Sequence, residues 1–286
     1  MTDPLSAFSA FTALPPDWRA WVRDNLARAC LPADMVDSMV RSGQYSAEAA
    51  RAAIAQAPGC PAGAFAAAPA QPYIDTGAAA PDGPGGRAVE LLFALRDPAV
   101  VLLGGVLDDA ECAALRQHCD GRYSRSTVTA EDDGASAVHQ GRTSDMAFIA
   151  RGDCAVADRV ERRLAALAHW PLERGEPFQL QRYGIGNEYR AHFDWLNPDA
   201  AGHRAHLARG GQRLATFILY LSEVEQGGAT VFPKLGLEVF PRKGSALFFL
   251  NTDAAGRPDP RTLHAGAPVL AGCKVIANKW LRAGDY

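Results

Sequence analysis

The stretch Tyr189-Arg190-Ala191-His192-Phe193-Asp194 places a histidine and an aspartate two positions apart in a predicted β-strand. Side chains alternate between the two faces of a strand. His192 and Asp194 are therefore expected to point the same way, with Phe193 packed behind them. A second histidine, His264, follows much later in the chain.

Two histidines and one carboxylate form the facial triad of non-haem Fe(II) oxygenases, which leaves iron positions open for substrates. We therefore predict that His192, Asp194 and His264 bind iron. A His-x-Asp pair alone is a weak signal, because it arises by chance in many chains. A lone strand histidine is also more often a hydrogen-bonded structural residue. The residues after His264 strengthen the prediction.

Lys274 ends a run that begins at His264, in which Gly266, Pro268 and Gly272 separate apolar residues. This pattern predicts a strand, a tight turn and a returning strand. Such a hairpin would bring Lys274 close to a metal held at His264. A lysine there suits 2-oxoglutarate, whose 1-carboxylate and keto oxygen would occupy two iron positions. The distal carboxylate then needs a positive partner.

Residues 89–286 resemble the catalytic domain of the prolyl 4-hydroxylase type of 2-oxoglutarate- and Fe(II)-dependent dioxygenases. The matching stretches occur in the family's order: Gln181-Arg182-Tyr183 through Asp194, Gly211-Gln212-Arg213 through Leu221, Gly227 through Pro233, and His264 through Lys274 to Trp280. The combined pattern is specific, and it implies an enzyme that uses Fe(II), 2-oxoglutarate and O2, with ascorbate as an activator.

The resemblance also implies roles for single residues. His192, Asp194 and His264 would bind iron, and with Lys274 they form the predicted catalytic set. Lys274 would hold the 5-carboxylate of 2-oxoglutarate, and Tyr183 would donate a hydrogen bond to it. The intact Asp194 argues against the halogenase variant, in which a small residue frees an iron position for chloride.

Three further positions follow from the same resemblance. Thr230, inside the matching stretch 227–233, is assigned to the cofactor-binding set. Trp280 matches a position that lines the active site, and it is a candidate for both co-substrate and substrate contact. Arg142, in Arg142-Thr143-Ser144, resembles a segment near the substrate-binding loops. The family often has an acidic residue where Ala229 stands, although this is not a ligand position.

Some of these residues have simpler interpretations. Tyr183 could be a core tyrosine with a satisfied hydroxyl, and Trp280 could merely fill the core. His203 and His206 form a His-x-x-His pattern, but residues 197–213 lack strand periodicity. A mobile loop over the pocket is the better interpretation of that segment than a second metal site.

The resemblance implies hydroxylation of an unactivated C–H bond in a proline or proline-like ring, with release of succinate and CO2. The ring could belong to a peptide or to a free cyclic amino acid. A free amino acid needs an anion partner near the iron, for which Arg142, Arg182 and Arg190 are candidates. A peptide needs a groove covered by loops 124–142 and 197–213. A hypothesis from another class is a catalytically silent jelly-roll sensing or binding module.

The chain is predicted to contain three regions. Residues 1–65 form a small helical domain, with helices around Trp18 to Leu26 and Met35 to Val40 and a third capped by Ser46. Residues 66–88 are an Ala/Pro/Gly-rich linker, and residues 89–286 form the dioxygenase domain. The helical domain would pack on the catalytic domain or support a homodimer, with substrate docking as the alternative.

The fold class predicted for the third region is α+β, mainly β. Asp108-x-x-Glu111 resembles a capping box opening a helix through Cys119, and a second helix is predicted over 155–167. Short strands follow at 178–183, 188–193, 214–221, 236–240, 246–250 and 274–281. Helices followed by many strands at close intervals fit a double-stranded β-helix, or jelly roll, flanked by helices.

The composition agrees with a cytoplasmic enzyme. The net charge of -3 gives no general affinity for nucleic acid or acidic membranes. The six cysteines show no C-x-x-C motif and no regular framework, which favours a reducing compartment. No apolar run approaches the roughly 20 residues needed to span a bilayer.

Overall fold

The computed structural model describes residues 9–30, 32–61, 64–65, 71–77, 82–83, 87–129, 136–138 and 140–286. The chain divides into two compact units, Met1–Ala68 and Pro69–Tyr286. The predicted linker 66–88 lies partly outside the described residues. Its described residues 71–77 belong to the second unit, where Gln71 donates to the Asp253 carbonyl at 2.6 Å and the Tyr73 N–H donates to the Ala168 carbonyl at 3.0 Å.

The first unit contains helices α1 (Pro16–Ala27), α2 (Pro32–Arg41) and α3 (Ala47–Ala55). Proline occupies the first turn of α1, where its missing N–H costs nothing. The Ser46 hydroxyl caps α3 by accepting from the Ala49 N–H at 3.2 Å. Val22, Met39 and Ile54 are fully buried and join the three helices in one apolar core. The three helices predicted from the sequence are confirmed.

The second unit combines helices with many antiparallel strands. Its helices are α4 (Asp109–His118), α5 (Ala155–Leu167) and α6 (Arg204–Ala208). Its strands are β1 (Asp82–Gly83), β2 (Arg87–Ala88), β3 (Glu90–Arg96), β4 (Ala99–Gly104), β5 (Ser124–Arg125), β6 (Thr127–Thr129), β7 (Ser136–Val138), β8 (Asp145–Ile149), β9 (Phe178–Tyr183), β10 (Tyr189–His192), β11 (Arg213–Tyr220), β12 (Gln226–Gly227), β13 (Thr230–Phe232), β14 (Leu237–Val239), β15 (Ala246–Leu250), β16 (His264–Gly266), β17 (Val269–Ala271) and β18 (Lys274–Arg282).

Two sheets form the body of this unit. The larger has the strand order β3-β4-β15-β11-β18-β9-β8-β5, and the smaller has the order β10-β16-β13-β14. Tyr220 and Phe249 of the larger sheet pack with Phe232 of the smaller one in a shared apolar core. The strands β11 and β18 lie at the centre of the larger sheet, which explains their nearly continuous burial. This double-sheet jelly roll confirms the predicted fold class.

Helices α4 and α5 cover the other face of the larger sheet. The predicted capping box opens α4: Asp108 accepts from the Glu111 N–H at 2.7 Å, and Glu111 accepts from the Asp108 N–H at 3.2 Å. Leu115 and Leu164 join the apolar core beneath the helices. In the described part of the chain, no helix has both the length and the apolar character needed to traverse a bilayer.

The predicted hairpin between His264 and Lys274 is wrong. His264 begins β16, which pairs with β10 and β13 in the smaller sheet. Lys274 begins β18, which pairs with β9 and β11 in the larger sheet. The glycines and proline between them let the chain cross from one layer to the other, with β17 pairing with β12 on the way. The two residues therefore belong to different sheets.

Candidate active site

The two histidines and the aspartate converge at one end of the smaller sheet. His192 ends β10 and lies opposite His264 in the pairing with β16. Asp194 lies just beyond the end of β10. The Nε2 atom of His192 is 3.7 Å from Asp194 Oδ1, and the Nε2 atom of His264 is 3.6 Å from Asp194 Oδ2. A single ion bound about 2 Å from each atom can bridge such distances.

The remaining ring nitrogens fix the orientation of both imidazoles. His192 Nδ1 lies 2.9 Å from the Arg190 carbonyl, and His264 Nδ1 lies 3.0 Å from the Thr262 carbonyl. A carbonyl can only accept, so each Nδ1 carries the hydrogen and each Nε2 offers a lone pair toward Asp194. Burial, and then the neighbouring His264, lowers the pKa of His192 to about 3. His192 is thus neutral near pH 7, the form that binds metals.

Asp194 is buried and held in place from the larger sheet. Burial alone would raise its pKa, but the positive Arg213 guanidinium favours the carboxylate, and the pKa of Asp194 lies below its ordinary value. The Thr216 hydroxyl donates to Asp194 Oδ2 at 2.9 Å, and Asn251 donates to the Thr216 oxygen at 2.9 Å. The carboxylate is therefore charged and oriented before any ligand arrives.

Lys274 and Tyr183 lie opposite each other on β18 and β9, and both are buried. Burial lowers the pKa of Lys274 to about 7. Among the described residues no carboxylate forms an ion pair with its ammonium, which lies 5.4 Å from the centre of the Tyr183 ring. A buried ammonium without a counter-ion favours binding of an anion.

The Lys274 side chain extends toward the smaller sheet. A Cβ placed on Gly266 would lie 3.9 Å from Lys274 Nζ. Thr230 pairs with Gly266 in that sheet, and its hydroxyl lies 2.8 Å from the Tyr220 hydroxyl. The structure thus brings Lys274, Tyr183 and Thr230 together between the layers. The Tyr183 hydroxyl donates to the Gln181 side chain.

A cavity of about 570 Å³ opens beside the triad. Its wall includes His192 and Asp194, whereas the buried His264 and Lys274 lie behind the wall. Trp280 is also part of this wall, so its indole lines the cavity in addition to filling core. The triad is therefore open toward the cavity and closed on the side where His264 is buried.

Arg213 and Glu176 form a charged pair in the same wall. Arg213 binds the Glu176 carboxylate through Nε at 2.6 Å and through a terminal nitrogen at 2.9 Å. Its guanidinium lies 3.8 Å from the centre of the Trp280 ring and donates to the Asp194 carbonyl at 3.4 Å. The pair therefore fixes both Trp280 and the backbone of a candidate iron ligand.

The three predicted substrate arginines lie in different places. Arg142 is buried in the cavity wall, and Arg190 lies at the rim with its side chain 69% exposed. Arg182 does not reach the cavity: it pairs with Asp145 at 3.3 Å and stacks on Tyr123. Alternation along β9 explains this, because Gln181 and Tyr183 point to the cavity side and Arg182 to the other.

His203 and His206 line the outer part of the cavity. The segment predicted as a mobile loop is partly helical, with a 3-10 turn at Ala201–His203 followed by α6. The Asn197 N–H donates to His203 Nδ1 at 2.9 Å. Within the described residues, the cluster of three metal-ligating side chains is the His192, Asp194 and His264 group, so the two outer histidines form no second such cluster.

Sequence reasoning missed several residues of this site. Thr216 had a usable signal, because it interrupts the apolar run Leu214-Ala215-Thr216-Phe217-Ile218 of a buried strand. Glu176 gave no such signal, and Arg213 was noted only as part of the matching stretch that begins at Gly211, because the fold alone pairs the two residues. Tyr189 stacks on His192 with ring centres 3.5 Å apart, a contact that only coordinates reveal.

Comparison with known proteins agrees with this geometry. The sequence model of the 2OG-Fe(II) oxygenase superfamily matches residues 178–282. Prolyl 4-hydroxylase 2 of Arabidopsis thaliana is 36% identical over 210 residues, which cover 66% of this chain and 69% of that protein. Prolyl 4-hydroxylase subunit alpha-1 of Rattus norvegicus is 36% identical over 184 residues, covering 64% of this chain but only 34% of the rat subunit.

A solved structure of a prolyl hydroxylase is also similar to this chain. The viral collagen prolyl hydroxylase from Paramecium bursaria Chlorella virus-1, crystallised as a 2OG complex, superposes with a TM-score of 0.50 and 29% identity. The match covers 64% of this chain and 95% of the viral one. The chain therefore belongs to the prolyl 4-hydroxylase-like group of the 2OG-Fe(II) oxygenase superfamily. The predicted enzyme class, a 2-oxoglutarate-dependent dioxygenase, is confirmed.

Proposed function

We propose that His192, Asp194 and His264 hold the ferrous ion of this dioxygenase. The observation that carries the proposal is the convergence of both Nε2 atoms on the Asp194 carboxylate, with each Nδ1 tied to a backbone carbonyl. Imidazole and carboxylate in a 2:1 set are the donors that Fe(II) oxygenases use. One face of the group borders the cavity, where the remaining iron positions would meet co-substrate and substrate.

We further propose that Lys274 binds the 5-carboxylate of 2-oxoglutarate. Its ammonium is buried and has no acidic partner among the described residues. A dicarboxylate that extended from the triad to Lys274 would replace this missing counter-ion. Tyr183 would contribute by reorienting its hydroxyl from Gln181 toward that carboxylate, and Thr230 offers a second hydroxyl nearby.

Bound Fe(II), 2-oxoglutarate and O2 supply an oxidant that hydroxylates an unactivated C–H bond and leaves succinate and CO2. The protein's own part is orientation and exclusion of water. Thr216 fixes the angle of the Asp194 carboxylate, and Tyr189 supports the His192 ring from behind. Trp280, held by Arg213, closes the wall beside the reacting position.

The substrate class that we propose is a proline or proline-like ring, in a peptide or as a free cyclic amino acid. Support comes from the relatives, which are named prolyl 4-hydroxylases. A cavity of about 570 Å³ has room for such a ring with its neighbours. The silent-module alternative has no observation in its favour, since all four predicted catalytic residues are present.

The test is oxidation of proline compounds by the Fe(II)-loaded protein. We expect succinate to form from 2-oxoglutarate, and free L-proline or proline peptides to gain one oxygen atom by mass spectrometry. The Asp194→Ala variant, which lacks an iron ligand, is the matched control and should lose both signals. Succinate without oxidation of any proline compound would contradict the substrate class, and no succinate at all would contradict the assignment of the site.

We also propose ascorbate as an activator, a homodimer, and a cytoplasmic location. The six cysteines, all of them in the described residues, form no disulfide, which supports a reducing compartment. Adding ascorbate to repeated turnovers should raise the succinate yield. Light scattering on the full chain would measure the mass of the particle, and a monomer at every concentration would contradict the dimer.

A further inference from the structure

The cavity beside the triad contains a buried cation that the chemistry above leaves unused. Arg142 is only 6% exposed. One terminal nitrogen donates to the Thr127 carbonyl at 2.7 Å, and the other donates to the Gln179 side chain at 2.6 Å. The Nε atom is buried and has no hydrogen-bond partner in the described structure. Since a guanidinium carries five N–H donors, much of this group's capacity is free.

No acidic residue of the cavity wall is available to Arg142. The two acids in that wall are Glu176 and Asp194. Glu176 is bound by Arg213 and also by Arg282, at 2.9 Å. Asp194 belongs to the proposed iron site. Among the described residues Arg142 therefore has no counter-ion, and a buried charge without one is costly to maintain. An anionic ligand would remove that cost.

The position of Arg142 limits where the anion can be. Its guanidinium lies 4.7 Å from the centre of the Tyr189 ring, and that ring stacks on His192 at 3.5 Å. One aromatic ring thus separates the cation from a candidate iron ligand. If a substrate presents a C–H bond to the iron, the group that reaches Arg142 must lie only a few bonds from that carbon.

The rest of the outer cavity also favours an anion. His203 accepts a hydrogen bond at Nδ1, so its Nε2 carries the hydrogen and can donate. His206 and Arg190 lie exposed along the same rim. Arg190 pairs with Glu188 at 3.3 Å, so the contribution of the rim is mainly N–H donors rather than free positive charge. Donors at the rim suit a substrate that carries acceptor oxygens.

We propose that the substrate carries a carboxylate close to the ring that is hydroxylated, and that Arg142 binds it through Nε and a terminal nitrogen. Two sources offer this chemistry. One is an aspartate or glutamate next to the proline in a peptide, and the other is the α-carboxylate of a free cyclic amino acid. This inference rests on the proposed function, because it names the substrate class of the same site.

The first experiment compares matched substrates with the Fe(II)- and 2-oxoglutarate-loaded wild type. One arm uses acetylated peptides that differ only in Asp-Pro against Asn-Pro. The other arm uses free L-proline against L-prolinamide. We expect kcat/KM to be at least about tenfold higher for the acid in one of the two arms, because a charge-assisted bond is lost in its amide. The arm that discriminates identifies the source of the carboxylate.

The second experiment tests whether Arg142 is responsible. Arg142→Gln should lower kcat/KM for the acid about tenfold more than for the amide, chiefly through KM, so that the preference disappears. Arg182→Gln is the matched control, because Arg182 is also a candidate substrate arginine but lies outside the cavity. It should keep the wild-type preference. If Arg142 only held Thr127 and Gln179 in place, Arg142→Gln would lower kcat/KM for the acid and for the amide by the same factor.

The outcomes separate this inference from the proposed function. Equal kcat/KM values for the acid and the amide in both arms would overturn the proposal that the substrate carries a carboxylate, even if proline compounds are oxidised. A preference that survives Arg142→Gln would overturn the assignment to Arg142. Failure of every proline compound, with succinate still formed, would instead contradict the proline substrate class and this inference with it.

Discussion

Thr216 donates a hydrogen bond of 2.9 Å to Asp194 Oδ2, the same oxygen that lies 3.6 Å from His264 Nε2. Thr216 belongs to β11 in the larger sheet, whereas His264 belongs to β16 in the smaller one. The carboxylate of Asp194 is thus oriented by the larger sheet and lies next to His264, a candidate iron ligand from the smaller sheet. Such outer partners are important for metal affinity because they hold ligands in the binding geometry.

Replacing Thr216 should weaken metal binding. In Thr216→Val the carboxylate loses its donor while the volume stays similar, so we expect affinity for Mn(II) or Fe(II) to fall about 10- to 100-fold. Thr216→Ser keeps the hydroxyl and should remain close to the wild type. Titration of the apoprotein with Mn(II), followed by electron paramagnetic resonance, measures the metal affinity of each variant. Equal losses in Val and Ser variants would refute the orienting role.

Replacing Lys274 should stabilise the free protein near neutral pH. The pKa of Lys274 is about 7 in the fold and 10.5 as its ordinary value, so the unfolded chain binds more protons between these two pH values. Wild-type stability therefore rises with pH through that window, and the cost of the charge is fully present below it. Lys274→Met should raise the melting temperature at pH 6, with the gain vanishing by about pH 10.5. A constant difference across pH would contradict this.

Binding of 2-oxoglutarate should take up protons above pH 7. A carboxylate beside Lys274 favours the charged ammonium, so its pKa of about 7 must rise when the co-substrate binds. Calorimetry at pH 8 in buffers of different ionisation enthalpy measures this uptake. Lys274→Arg is the matched control, because a guanidinium stays charged and should show none. Proton uptake in both proteins would point to another group.

Gly227 should resist substitution. Its φ of +76° is unfavourable for other residues, and an added Cβ would lie 2.4 Å from the Pro268 carbonyl oxygen. Gly236 has a similar φ of +60° but open space around the added atom. We expect Gly227→Ala to lower the free energy of unfolding well beyond the ~1 kcal/mol expected for backbone strain at Gly236→Ala. Denaturant unfolding measures the free energy of unfolding of both variants. Equal losses would show that the added Cβ at position 227 does not clash with the Pro268 carbonyl.

The sequence predicted the elements whose signals are local. The capping box at Asp108 and Glu111, the Ser46 cap and the apolar face of α5 each occur where the pattern indicated. Strands such as β9 and β15 have the predicted bounds, because turn-forming residues such as Pro177, Gly184 and Asn251 flank them. The His192 and Asp194 pair was also found from strand alternation, although the strand ends at His192.

Long-range pairing was beyond the sequence. The His264 to Lys274 segment has the composition of a hairpin, yet its two ends belong to different sheets because each strand finds a more distant partner. The charged pair of Arg213 and Glu176 is likewise created by the fold. Arg182 was chosen only because it is an arginine near the motif, and its position on the outer face of β9 excludes it from the cavity.

The separation of His264 and Lys274 between two sheets has a mechanical consequence. A molecule that contacts both the triad and Lys274 would link the two sheets of the jelly roll. Loading the site would then stiffen the whole unit, because neither layer could slide without breaking that bridge. Slower amide hydrogen exchange in strands remote from the site is the signature to expect from such a link.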